Sequence, residues 1–257
     1  EVVPNQLKVE QGVGYALYPF TVVLDYMLSR PVYRLMGPFD EPGVVGTVSA
    51  LILAVNRFRF GGARDYIILA SGVLSFSLAF YLLVFIYFMV LSVGRFRYAL
   101  YLLLFSFSVL FVAEYNEAVN GYTLDRIKMT ESGFVGDNRT SADFNDRYLE
   151  WMNSDAGSFL FGLSDYQNMG ESSWKIILIK TGFLGFLSIF LMLFLIFLSA
   201  CRRLDIYILA FVAVYCASIY QRPEIINPFF VFVFCCGVVG FNKSHWPRQR
   251  IEEGNVS

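Results

Sequence analysis

Residues 174–200 read WKIILIKTGFLGFLSIFLMLFLIFLSA, a run with no acid and only two bases, Lys175 and Lys180. A helix over that run is long enough to cross a bilayer, whose hydrocarbon takes about 20 apolar residues. Further apolar runs at 44–55, 65–93, 98–113, 205–219 and 229–241 reach or approach that length. They are continuously apolar, without the alternation of outer-membrane strands, so they predict helices and not a barrel. With 56% hydrophobic residues, 18% aromatics and a mean hydropathy of +0.55, the composition excludes an ordinary soluble domain. The expectation is one all-α, polytopic transmembrane domain over residues 1–257. The chain opens on Glu1 with no initiator Met, basic n-region or cleavage site, and is expected to be the C-terminal part of a larger membrane protein.

The formal net charge of −1 hides a strong asymmetry. Residues 114–173 form the one long hydrophilic stretch, where eleven acids against four bases leave −7. Retained loops are marked by Lys and Arg, so a large acidic loop is expected outside. The turns at 57–64, 95–97, 202–203 and 243–250 each hold Arg or Lys and are expected on the cytoplasmic side, with the C-terminus. For both ends of 65–93 to be cytoplasmic, that stretch must go out and back. Its natural apex is Leu74-Ser75-Phe76-Ser77; the alternative is one long tilted helix. The N-terminal stretch GYALYPFTVVLDYML (14–28) is short for a span and reads as an interfacial helix or the end of a span.

Ionisable groups at the outer ends of spans are costly to place there and point to function. Arg34 and Glu41 lie in RLMGPFDEPG, held by Gly and Pro turns just before a span. Arg34 offers a bidentate fork for phosphate and Glu41 a general base; the residues alone allow equally an Arg–Glu tie across a loop. In GDNRTSADFNDRYLEW (136–151), a helix over 141–151 capped by Ser141 or Asp143 sets Asp143 and Arg147 four residues apart on one face, beside Arg139 and Asp146. The alternative there is a surface ion pair worth a few tenths of a kcal/mol, of order ~0.3. Lys180, near the outer end of 174–200, snorkels to the interface or points into a cavity. Arg222, in QRPEIINP between the last two spans, completes the set, with Glu224 as its structural partner in the alternative reading.

The only histidine, His245, falls in the cytoplasmic tail, so none serves the outer face. No phosphate-binding loop, dinucleotide fingerprint, HExxH or CxxC pair is present, and no cofactor, metal or nucleic acid is expected. Cys201, Cys216, Cys235 and Cys236 all avoid the polar loop, which argues against a disulfide and for small packing residues.

Taken together, RLMGPFDEPGVVG (34–46) before a span, the Ser75–Ser77 apex, the large outer loop, NDRYLEW (145–151), FLFG (159–162) and ESSWKIILIKTGFLG (171–185) resemble bacterial O-antigen polymerases of the Wzy type, within the O-antigen ligase and polymerase superfamily. The resemblance runs from about residue 30 onward and rests on the order of short motifs. It implies a GT-C-like architecture in the bacterial inner membrane, with inverting glycosyl transfer on its outer face. Donor and acceptor would be oligosaccharide repeat units on undecaprenyl pyrophosphate, with a chain-length regulator as a further partner. By that analogy Arg34, Arg147 and Arg139 or Arg222 hold the pyrophosphate, and Glu41, Asp143 or Asp146 is the base. The ligases use a loop histidine, which this loop lacks, so polymerase ranks before ligase; a transporter or a structural subunit follows.

Overall fold

The computed structural model describes residues 6–10, 13–24, 32–39, 41–115, 129–130, 133–134, 142–163, 174–201, 204–221 and 227–243. Described residues are mostly helical. Four strands open the chain, β1 (Gln6–Glu10), β2 (Val13–Tyr18), β3 (Thr21–Leu24) and β4 (Val32–Leu35), paired in sequence order as an antiparallel meander. Residues 14–24 of the segment read as an interfacial helix or the end of a span are therefore the β2–β3 hairpin, and 25–28 lie outside the described residues. Tyr18 pairs with Thr21 across Pro19-Phe20, where Phe20 takes φ 65°. Pro19 cannot continue a helix, and the Val- and Thr-rich segment after it suits a pleated surface. Phe20 then accepts from the backbone N–H groups of Met36 and Gly37, which ties the meander to the turn before the first helix.

Helix α1 (Pro42–Val55) starts with Pro at its first position and Glu41 as an extended N-cap residue. It ends at Asn56, after which Arg57 and Phe58 take φ 56° and 51°. Two successive non-glycine residues in that region need outside support, and Asp65 provides it. This buried carboxylate accepts from the Asn56 side-chain amide at 3.0 Å and from the backbone N–H groups of Gly61 and Gly62 at 2.9 and 3.2 Å. Helices α2 (Ala63–Leu74) and α3 (Leu78–Ser92) follow, and the stretch 65–93 breaks at 75–77, where its apex was expected. Phe76 takes φ 43° there. Gly46 lets α1 reach that apex: a Cβ at Gly46 would lie 2.7 Å from the Ser77 Cβ and 3.0 Å from the Ser75 Oγ.

Helix α3 then runs back along α1, so that Phe58 meets Tyr87 at 4.8 Å and Phe88 at 4.9 Å between ring centres. Helix α4 (Phe96–Tyr115) turns again and packs on α3. After two short strands, β5 (Met129–Thr130) and β6 (Gly133–Phe134), come α5 (Ala142–Met152), α6 (Ala156–Phe161), α7 (Lys175–Ala200), α8 (Ile206–Gln221) and α9 (Pro228–Lys243). Helix α8 lies antiparallel to α3, and α9 antiparallel to α8, where Phe234 meets Tyr215 at 4.7 Å and Gly237 abuts the Phe211 ring. The core gathers Leu51, Phe80, Leu83, Tyr87, Phe211 and Tyr215 from α1, α3 and α8.

This path sorts the turns. The links after α1, after α3 and before α8 meet at one end, where Arg57 and Arg95 both lie over the Tyr207 ring and Arg57 pairs with Asp205 at 4.0 Å. Burial lowers the Arg57 pKa from its ordinary value, while Asp205 pulls it back up. The apex at 75–77, the start of α1 and the start of α7 lie at the other end. Cys201, Cys216, Cys235 and Cys236 are free thiols, and Cys216 and Cys236 are exposed instead of filling the core. Among the described helices α7 alone is long and apolar enough to cross a membrane, while α1, α3, α8 and α9 are shorter apolar helices. Replacing Asp65 by Ala strands three donors and is expected to cost about 2–4 kcal/mol, read as a lower midpoint of thermal unfolding with the helical signal unchanged at low temperature.

Candidate functional site

The candidate site lies at the end opposite the basic turns, around the start of α7. Within α5 the residues Phe144, Tyr148 and Trp151 fall at i, i+4 and i+7, one helical face. Phe144 and Trp151 are buried against Leu178 and Ile179 of α7, with Tyr148, Phe159, Trp174 and Phe186 packed around them. The Lys175 Nζ sits 4.9 Å above the Tyr148 ring, a cation–π contact. Trp151 stacks on Phe159 at 5.2 Å, and Phe159 on Phe183 of α7 at 5.8 Å. The indole N–H of Trp151 donates to the Ser158 carbonyl at 3.0 Å. Helix α6 is held at its start by Asp155, whose carboxylate accepts from the Ser158 backbone N–H at 3.0 Å and hydroxyl at 2.8 Å.

Two glycines then join α6 to α7 backbone to backbone. Gly162 takes φ 87° and ψ 177°, and Gly182, inside α7, takes φ 66° and ψ 175°. Only glycine adopts such angles without strain. A Cβ on Gly162 would lie 2.7 Å from the Lys180 carbonyl oxygen, and one on Gly182 would meet the Leu160 carbonyl oxygen and the Gly162 nitrogen. The kink at Gly182 opens the helical hydrogen-bond ladder, and Leu163 uses it by donating its N–H to the Ile179 carbonyl at 2.8 Å. The Thr181 hydroxyl donates to the Ile177 carbonyl at 2.7 Å and fills the ladder on the other side.

The residues expected to carry chemistry fall into two groups. Arg34 donates through Nε to the Ser75 carbonyl at 2.9 Å and through an Nη to the Phe76 carbonyl at 3.3 Å. It covers carbonyls at the C-terminal end of α2, where the helix dipole favours a cation, and this work occupies part of its fork. Glu41 is exposed at the cap of α1. Arg147 is half-buried on the flank of the packed face of α5. Asp143 lies inside the first turn of α5, not at its cap, and shares Arg147's side of the helix by register. Asp146 is exposed and belongs to the opposite face, away from α7. Lys180 is exposed beside the kink. Arg139 and Arg222 lie outside the described residues. The structure thus brings Arg147, Asp143 and Lys180 to the docked α5–α7 unit, and places Arg34 and Glu41 on the α1–α2 unit. The basic-end cluster of Arg57, Arg95, Tyr98, Asp205 and Tyr207 was not singled out by sequence reasoning, since nothing in the sequence pairs Tyr98 with Tyr207.

No protein family, curated protein or solved structure matches the chain.

Gly182→Ala and Gly162→Ala are each expected to release α5–α6 from α7, through about 1–3 kcal/mol of backbone strain compounded by the overlap. Faster proteolysis between 142 and 174 in both variants, with α7 still intact, is the readout. The Asp155 pKa is lowered, chiefly by the hydrogen bonds from Ser158. Its cap therefore contributes fully above the ordinary carboxylate range, near pH 4, and is lost as pH falls through the depressed value. The gap in protease resistance between wild type and Asp155→Asn should close over that acid range.

Proposed function

We propose that the chain is a polytopic membrane protein that polymerises lipid-linked oligosaccharide repeat units by inverting glycosyl transfer. The membrane part of this reading is supported by the outer surface of the bundle. On α7 Phe183, Leu187, Leu191, Phe194 and Leu198 are between 44% and 54% exposed, and on α4 Leu103 and Phe107 reach 67% and 68%. Water tolerates no such continuous apolar belt, and lipid requires one. The shorter helices cross as parts of a bundle, with α2 and α3 going out and back.

The observation that carries the catalytic reading is the docking of α5 on the kinked start of α7, which holds Arg147 beside the outer end of the long helix. Non-helical backbone at membrane depth, such as that at Gly162 and Gly182, is tolerated only where protein buries it or where it lines a cavity. There Arg147, with Lys180 near the kink, would neutralise the pyrophosphate of the donor. The acceptor hydroxyl attacks the anomeric carbon from the face opposite the pyrophosphate and gives its proton to a carboxylate. The bond to undecaprenyl pyrophosphate breaks with its electron pair, and the new charge on the leaving oxygen is what Arg147 stabilises. Asp143 is the first candidate base because it shares Arg147's side of α5, with Glu41 second; Asp146 faces away. Arg34 acts chiefly by fixing the 75–77 apex.

Arg147→Ala is expected to cut polymer yield by about a hundredfold or more, the scale of losing a charge-stabilising donor. The assay is complementation of a polymerase-null strain, with surface polysaccharide resolved on a gel at matched protein level. Loss of the long ladder with a single repeat unit still attached supports the reading. An unchanged ladder returns Arg147 to a structural role on α5, and loss of all attachment to lipid A indicates a ligase.

A further inference from the structure

At the basic end, Arg95 and Arg97 flank Phe96 at the start of α4. Arg95 donates to the Tyr207 hydroxyl and Arg97 to the Tyr98 hydroxyl, each at 3.3 Å, and the two phenol oxygens are 2.6 Å apart. Arg97 also lies over the Tyr98 ring at 5.0 Å. Both arginines are exposed. These hydrogen bonds end on phenol oxygens, which hold the guanidinium groups in place without cancelling their charge. Each arginine has five N–H donors, so most of each fork still faces outward. The nearby acid Asp205 is 4.0 Å from Arg57. From the same point an exposed apolar stripe runs along α4, Phe96, Leu100, Leu103 and Phe107, at i, i+4, i+7 and i+11. Val93 and Leu204, 87% and 70% exposed, stand beside its head.

We propose that Arg95 and Arg97, braced by the Tyr98–Tyr207 pair, bind the phosphate of an anionic phospholipid whose acyl chain lies along the Phe96–Phe107 stripe of α4. The charge selects an anion, and guanidinium forks match phosphate oxygens. The apolar stripe selects a lipid over free phosphate, because a soluble anion leaves the stripe uncovered. This proposal rests on the membrane reading above but not on the polymerase reading.

The test uses the full chain, extracted from membranes and examined by native mass spectrometry after incubation with phosphatidylglycerol or phosphatidylcholine. The wild type is expected to retain phosphatidylglycerol in preference to phosphatidylcholine, and millimolar inorganic phosphate should not displace it. Removing the two cations in the R95Q/R97Q variant should reduce the preference by about fivefold per arginine, the usual worth of a cation near an anionic surface. Tyr207→Phe, which keeps the charge and the ring but loses the brace, should weaken it less. Should the double variant fail to fold, R97Q alone carries the comparison. Equal retention of both lipids by the wild type, an unchanged preference in the variants, or displacement by phosphate overturns the proposal. Alkaline carbonate extraction of the wild type separates the two readings: a protein that stays with the membrane yet shows no preference sinks the lipid site alone, and one that washes off sinks the membrane reading with it.

Discussion

The close approach of Gly162 to Gly182 is the constraint on which the docked α5–α7 unit depends. Helix α7 has the apolar composition of an uninterrupted span, yet it kinks at Gly182, and the kink leaves a carbonyl that Leu163 occupies. Side chains at either glycine would separate the two backbones. Without that contact the amphipathic helix α5 and its Phe144–Trp151 face lose the partner that holds them, and Arg147 loses its place. The aromatic chain from Trp151 through Phe159 to Phe183 adds area to the contact, and aromatic pairs of this kind give about 1 kcal/mol beyond burial. The glycines set where that area is applied.

The α1–α3 unit depends on small residues and backbone support of another kind. Gly46 lets α1 approach Ser75 and Ser77 closely, and Gly72 leaves room for the buried Phe80 ring, small residues serving close helix contacts as they do in membrane bundles. Arg34 and Asp65 fix opposite ends of the α1–α2 pair, Arg34 on carbonyls at the apex and Asp65 on N–H groups in the basic turn. Each is a charged group with main-chain partners, and Asp65 also accepts from the Asn56 side chain. That use explains why an arginine beside a Gly-Pro turn reads as a phosphate grip in sequence and proves in part a helix cap.

Much of the helical part was legible. The apolar runs end within a few residues of the helices, since a chain of this composition has few ways to satisfy its backbone. The break at 75–77 was expected from the basic turns on both sides of 65–93, with Ser75 and Ser77 marking its place, over the alternative of one long helix. The Asp143–Arg147 spacing allowed a helix over 141–151, and one is found at Ala142–Met152, but its apolar face of Phe144, Tyr148 and Trp151 was not read. The N-terminal meander was not legible: Tyr, Val and Leu in 13–24 suit an interfacial helix as well as a strand, and only the pairing across Pro19-Phe20 decides between them. Nor was the division of the candidate residues. Register places Asp143 with Arg147 and turns Asp146 away, but which face of α5 meets α7 depends on a tertiary contact. The Tyr98–Tyr207 pair, joining residues far apart in sequence, left no local signal.

The central claim is that the two ends of the bundle lie on opposite sides of a membrane. It is tested most directly by single cysteines in a background with all four native cysteines replaced. Leu149 on the exposed side of α5 and Phe60 in the basic turn are both accessible side chains. With a membrane-impermeant maleimide on intact spheroplasts, Leu149→Cys should be labelled at once and Phe60→Cys only after the membrane is opened. Labelling of both before opening, or of Phe60→Cys alone, would contradict the account.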